Sequence, residues 1–148
     1  MSELASNRKA GFDYEILETY EAGIQLAGHE VKSIRAGRVT IAGSFVIIRG
    51  EEAFLVGASI SPYQVANTPS GYDPERTRKL LLHRKEIKEL IGKTAQKGLT
   101  LVPLRIYTKN SRIKLAFALA RRKKKYDKRE TIRKREDERK INLALREP

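Results

Sequence analysis

Residues 121–148, RRKKKYDKRETIRKREDERKINLALREP, set the tightest limit on what this chain can fold into. They carry 13 Lys and Arg against 6 Asp and Glu, a local net charge of +7. A segment with so few apolar side chains buries too little surface to offset the entropy of its own ordering. A packed domain therefore has to be built from residues 1–120. The tail still has helical character. Glu130 with Lys134 and Glu136 with Lys140 stand at the acid-then-base i,i+4 spacing, and no Gly or Pro falls between Tyr126 and Leu145. Two readings are open: a helix that orders only when a polyanion collects its charge, and a plain solvated tail.

The basic excess is not confined to the tail. The whole chain of 148 residues carries +13, and residues 1–120 alone hold 18 basic and 12 acidic residues. Such a balance favours an anionic partner, either nucleic acid or an anionic membrane surface. The membrane is the weaker choice. No apolar run approaches the roughly 18 residues needed to span, and the tail has no broad Leu/Phe/Trp face to insert. The start, MSELASNRKAGF, lacks the apolar core of a signal peptide. Cysteine is absent, which removes disulfides, thiolate nucleophiles and sulfur-ligated metal sites together. The expectation is a soluble, cytoplasmic protein with one domain over 1–120 and a tail over 121–148.

The body reads mostly as strand. Tyr14, Ile16 and Leu17 open a first run, and Glu21-Ala22-Gly23 is expected to turn into Ile24-Gln25-Leu26. In GHEVKSIRAGR, Val31 and Ile34 lie three apart between glycines, enough for a short amphipathic helix. SFVIIRG and AFLVGASI are β-branched apolar runs joined by Gly50-Glu51-Glu52, a hairpin signal. RIKLAFALA alternates most sharply, with Ile113, Leu115, Phe117 and Leu119 on one face and Arg112 and Lys114 on the other. Its partner LTLVPLRIY is expected to place Val102, Leu104 and Ile106 together, with Pro103 at an edge or a bulge, and Lys109-Asn110-Ser111 links the two runs. Asp73 as N-cap and Pro74 at the first position predict a longer helix that carries Ile87, Leu90, Ile91 and Ala95 and stops near Gly98. Gly92 should weaken or divide it. Pro62 to Pro74 is a loop. Several short antiparallel strands with two or three helices predict a small closed barrel of the oligonucleotide-binding type.

The search for catalysis comes out nearly empty. The two histidines, His29 and His83, share no motif. The pairs Glu51-Glu52 and Glu136-Asp137 look like turn and solvated helix residues. Gly92-Lys93-Thr94 resembles the end of a phosphate-binding loop, but Ile87 stands where that motif needs its first glycine. No enzyme, metal or cofactor is expected. RNA binding is better supported. Arg8-Lys9, Lys32, Arg35, Arg38 and the run Arg76, Arg78, Lys79, Arg84, Lys85 all flank apolar segments, where cations can neutralise phosphates. Tyr14, Tyr20 and His83 are candidates to stack on unpaired bases, although half-buried barrel residues are the commoner fate of such tyrosines.

Taken in order, NRKAGFDYEI, YEAGIQLAGHEVKSIRAG, DPERTRKLLLHRKEI, GKTAQKGLTLVPL and KKKYDKRE resemble the SmpB family, the bacterial SsrA-binding proteins that accompany transfer-messenger RNA. The resemblance runs from about Asn7 to the end. It implies an oligonucleotide-binding-type barrel with a flexible C-terminal tail, and a non-enzymatic role in trans-translation, the rescue of ribosomes stalled on messages without a stop codon. The body would grip the tRNA-like domain of transfer-messenger RNA. Delivered with elongation factor Tu, the complex would enter the vacant A site of the 70S ribosome. The tail would then lie in the 16S rRNA decoding region and the empty message channel.

Residue by residue, the resemblance assigns Glu21 of YEAG to RNA binding. A carboxylate suits that role because it accepts from base amino or imino donors that lysines cannot serve; the alternative is a plain turn residue. Leu81 and His83 of RKLLLH, beside Lys79, fall on a second RNA-binding patch, where relatives often have Asn in place of His83. Asn7, Arg8 and Lys9, and Lys32, Ser33 and Arg35 of EVKSIR, match basic motif positions, with Tyr14 on the neighbouring strand. In the tail, Lys123, Lys124 and Lys125 lead into Tyr126 and the DKR motif of Asp127, Lys128 and Arg129, which the resemblance assigns to the decoding region. The chain departs from the family pattern at Phe12, where His is common, and at Arg122, where Gly is common and a hinge would be looser. The competing expectation is a basic ribosomal or ribosome-assembly protein that holds rRNA permanently.

Overall fold

The computed structural model describes residues 2–64, 66, 68–124, 129 and 132–136. In chain order the elements are β1 (Ser2–Ser6), α1 (Ala10–Asp13), β2 (Tyr14–Ile24), α2 (Gly28–Arg35), β3 (Val39–Thr40), β4 (Phe45–Arg49), β5 (Glu52–Val56), β6 (Ser59–Ile60), β7 (Arg78–Leu81), α3 (Arg84–Thr94), β8 (Leu99–Lys109) and β9 (Arg112–Arg122). The protein is mostly β with a few helices. Its main sheet is ordered β1-β8-β4-β5-β7-β2-β9, and β8 also pairs with β9, so the pairings that leave β8 through β4 return to it. All the pairings are antiparallel, and β3 and β6 form a separate ribbon.

The longest strands carry the strongest pattern. Ile113, Leu115, Phe117 and Leu119 of β9 join the main core beside Ala22, Ile24, Leu55 and Leu80. The opposite face of β9 is closed off as well. Ala120 packs with Ala10 of α1 and Val102 of β8, and Tyr14 and Leu104 lie against them. The turn between β8 and β9 is made by Asn110 and Ser111, both at positive φ (51° and 64°), the twist that a two-residue hairpin needs.

Five local expectations change. Glu21-Ala22-Gly23 is not a turn, because β2 runs unbroken from Tyr14 to Ile24 against β9. Gly23 serves contact instead: a Cβ there would sit 3.3 Å from the Cβ of Leu81, its partner on β7. Val102 and Leu104 do not share a face with Ile106, since a register shift between Pro103 and Arg105 sends Ile106 to the main core. Pro103 thus sits at a bulge, where a missing N–H is harmless. Asp73-Pro74 starts no helix. Asp73 accepts from the Glu75 amide at 2.9 Å, the following residues become β7, and α3 begins only at Arg84 with His83 as its N-cap. That helix runs through Gly92 undivided and ends at Thr94. Finally, residues 2–6 form an unforeseen strand on the edge of β8.

At the other end, β9 continues through Arg122. The Lys123 amide then donates to the Asp13 carbonyl at 2.8 Å, and its ammonium to the Gly11 carbonyl at 2.9 Å. Residues 129 and 132–136 are helical, and the Arg135 guanidinium lies 6.0 Å from the Phe12 ring centroid. Lys125, Tyr126, Asp127 and Lys128, and Glu130 and Lys140 of the two ion-pair spacings, lie outside the described residues.

Candidate nucleic-acid interface

The ends of β2, β7 and β9, with α2, the start of α3 and the turn before β5, enclose an open groove of about 1160 Å³. That exceeds the roughly 300–1,000 Å³ of a typical small-molecule pocket. Glu21, Arg35, Lys79, Leu81 and His83 all line it, although they come from three separated stretches of sequence. Their neighbours on the wall include Arg84, Arg112 and Lys114, together with Glu51, Glu52 and Glu86. The groove carries charge of both signs, so it offers hydrogen-bond donors and acceptors alike.

Each of these side chains has a definite seat. Leu81 is 55% exposed despite being apolar. It is placed there by its pairing with Gly23, whose missing side chain lets the leucine lie across β2. Lys79 reaches Glu52 at 3.2 Å, a pair exposed on both sides. Arg35 donates to the Ser111 carbonyl at 3.0 Å, tying α2 to the β8–β9 turn. His83 is exposed, and its carbonyl accepts the Ile87 amide at 3.1 Å, which starts α3. Glu21 receives a hydrogen bond from the Tyr107 hydroxyl, and Lys109 stands 3.4 Å from its Oε1. The Tyr107 bond is the main cause that holds the Glu21 carboxyl below its ordinary range; burial opposes it, and Lys109 and Lys114 add to the lowering. Burial first, and the carboxylate second, push the Tyr107 phenol up to about 12.

Tyr20 and Arg84 line the groove as well, and the other sequence candidates fall elsewhere. Asn7 is half-buried and donates to the Pro103 carbonyl at 3.0 Å, which braces the bulge. Arg8 and Lys9 are exposed beside it, and Tyr14 packs on the small cluster around Ala10. Lys32 is exposed on α2, but Ser33 is fully buried and faces no solvent. Lys123 is bound to α1 as described, Lys124 and Arg129 are exposed, and the rest of the tail motif lies outside the described residues. Tyr20, half-buried on the groove wall, is held in place: its ring stacks on Phe117 with centroids 5.5 Å apart, and its hydroxyl joins Glu18 and Lys93. Sequence reasoning passed over Arg112, Lys114 and Tyr107. The first two were visible as the polar half of the RIKLAFALA alternation.

Two cations from the basic run are already committed to one buried carboxylate. Arg78 is fully buried, and its guanidinium donates to Glu30 at 2.9 and 2.7 Å and to the carbonyls of Ala58, Arg76 and Pro74. Arg76 donates to both oxygens of the same carboxylate, Tyr72 adds a hydroxyl at 3.0 Å, and the Ala27 amide adds another bond at 3.0 Å. Burial would raise the Glu30 carboxyl. The hydrogen bonds from Arg76, the Ala27 amide and Arg78 outweigh it and hold the group at about 2.

Fold and groove define a class: a small, mostly-β domain with an open cleft lined by charge of both signs. Among the described residues no cluster of His, Asp and Glu could hold a metal, and no helix is long and apolar enough to cross a membrane. Comparison with known proteins makes the class specific. The family model for SmpB protein matches residues 4–147. The SsrA-binding protein of Gloeothece citriformis is 55% identical over 97% of this chain and 92% of its own length. That of Thermosynechococcus vestitus is 52% identical over 97% and 95%. A solved chain from tmRNA-SmpB in the bacterial ribosome superposes with a TM-score of 0.67 at 49% identity, covering 86% of this chain and 93% of that one. The chain belongs to the SmpB family.

Proposed function

We propose that this protein is a non-enzymatic RNA-binding adaptor of trans-translation that works in the cytoplasm. The observation that carries the reading is the groove, which gathers Glu21, Arg35, Lys79, Leu81 and His83 from distant segments onto one surface. Its ligand is the tRNA-like domain of transfer-messenger RNA, with cations on phosphates, Glu21 accepting from a base donor and Leu81 against an unstacked base. The ring of pairings through β8, β4, β5, β7, β2 and β9 is read as a closed barrel of the oligonucleotide-binding type. Residues up to about 120 form the RNA-gripping body. The basic remainder enters the 16S rRNA decoding region and the message channel of a 70S ribosome with an empty A site, brought there with elongation factor Tu.

The test separates gripping from rescue. Alanine at Asp127, Lys128 and Arg129 together leaves binding to transfer-messenger RNA almost unchanged, while tagging of peptides on stalled ribosomes collapses. RNA recovered with a tagged chain should be a structured species of a few hundred nucleotides, with ribosomes present in less than molar amount. Stoichiometric recovery of rRNA without that species would replace the reading with a ribosomal or ribosome-assembly protein.

A further inference from the structure

Tyr107 belongs to no motif and to no groove wall, yet it makes the contact that fixes Glu21. The two residues are not on neighbouring strands. Glu21 lies on β2 opposite Ala116, and Tyr107 lies on β8 opposite Lys114, so β9 runs between them. Two strand spacings amount to about 9–10 Å. Only a long side chain reaching toward another, over a small residue, closes that distance. Ala116 is that small residue. Tyr107 is 4% exposed, and the Arg105 guanidinium sits 5.2 Å from its ring centroid on the same strand. The phenol is therefore held by packing, and its hydroxyl can do little but donate to the Glu21 carboxylate.

A carboxylate has about four lone-pair sites. Tyr107 occupies one on Oε2, and Lys109 approaches loosely, at 3.4 and 3.5 Å from the two oxygens. The side chain of Glu21 remains 38% exposed. It is an ionised acceptor with its orientation set from behind and capacity left in front. Without the phenol, the nearby ammonium groups of Lys109 and Lys114 would be free to draw the carboxylate along the surface. Preorganised acceptors bind better than mobile ones because less freedom is lost on contact.

We propose that Tyr107 is the positioning residue for the groove's base-reading carboxylate, acting on RNA only through Glu21. The proposal rests on the reading of the groove as the RNA site. Its test is a double-mutant cycle on the full chain with Tyr107→Phe, Glu21→Ala and the pair, measuring affinity for the isolated tRNA-like domain. Phe keeps the ring and its packing, and thermal melting of each variant checks the fold. Tyr107→Phe should weaken binding about five- to twentyfold. The double variant should bind no worse than Glu21→Ala alone, because there is then nothing left to position. NMR titration of the free protein supplies a second readout: the Glu21 carboxyl should titrate at higher pH in Tyr107→Phe than in the parent chain. Losses that add, unchanged binding by Tyr107→Phe, or an unmoved titration would each overturn the proposal. A parent chain that does not bind this RNA would instead overturn the functional reading, and the titration would still report on the Tyr107–Glu21 contact.

Discussion

Glu30 and Glu21 are both carboxylates surrounded by donors, but one is sealed inside the body and the other stands at the edge of the groove. Glu30 receives bonds from two guanidinium groups, a phenol and a backbone amide, and it is fully buried. Glu21 has one firm donor and one distant ammonium, and it remains open to solvent. The contrast teaches where a basic protein can place an acid. In the interior a carboxylate must be saturated, because an uncompensated buried charge is costly. On a binding surface it is useful only if left unsaturated. The same logic sorts the cations. Arg76 and Arg78 are committed to the loop that packs on α2, whereas Lys79, one residue further along, is held only by an exposed pair.

The largest way to break the comparison is to remove the buried acid. Glu30→Ala leaves the Arg78 guanidinium buried without its anion and should cost about 3–5 kcal/mol of folding stability, readable by urea denaturation. Glu21→Ala should change stability by well under half of that. If the two variants melt alike, the network at Glu30 does not hold Tyr72, Arg76 and Arg78 in place.

Acid unfolding sharpens the same point. The Glu30 carboxyl is lowered from 4.5 to about 2 in the folded chain. A depressed folded value means that the stabilisation is complete above the unfolded value and is lost as pH falls through the folded one. The stability curve should therefore fall between about pH 4.5 and 2. In Glu30→Gln, which keeps the shape but does not titrate, that part of the slope should flatten.

Nothing near Arg78 in the sequence announces this network. Arginine is seldom fully buried, and its partner Glu30 lies 48 residues away. The Asp73-Pro74 start signal was a sound local reading, and tertiary demand overrode it: β7 has to run extended for Arg78 to reach Glu30. Gly23 misled for a related reason, since its small size serves the Leu81 contact rather than a turn. What was legible was what depends on neighbours in sequence. The alternation of β9, the hairpin at Gly50 and the short α2 all appear where expected. Arg35, Lys79 and His83 were legible as cations and a ring flanking apolar segments, whereas Glu21 and Leu81, which line the same groove, stood out only through family motifs. Tyr107 stayed hidden because its role depends on reaching across an intervening strand.

A smaller effect comes from comparing Glu21 with Glu18, three residues earlier on β2. Both substitutions to Ala remove one negative charge from a chain of net charge +13. Bulk attraction to RNA would then improve equally in both. Glu18 is engaged with Lys93 and Tyr20, so its loss should leave RNA affinity nearly unchanged. Loss of an acceptor paired with a base donor should cost about 1–3 kcal/mol at Glu21. Equal affinities for the two variants would reduce Glu21 to a structural residue.

The smallest expected effect has the opposite sign. Glu52 pairs with Lys79 at 3.2 Å, and both side chains are about half exposed, at 52% and 41%. Exposed pairs contribute roughly 0–1 kcal/mol, so Glu52→Gln should leave the melting transition almost where it was. The substitution also releases the Lys79 ammonium for a phosphate and removes a repulsive charge from the groove wall. Affinity for the tRNA-like domain should rise by about two- to threefold at low salt, and the gain should vanish as added salt screens it. Filter binding across a salt series, with Glu21→Gln measured alongside, gives the decisive reading. Two substitutions of the same type, on carboxylates lining one groove, should then move affinity in opposite directions. Movement in the same direction would mean that the groove responds to net charge alone and that the setting of Glu21 carries no recognition.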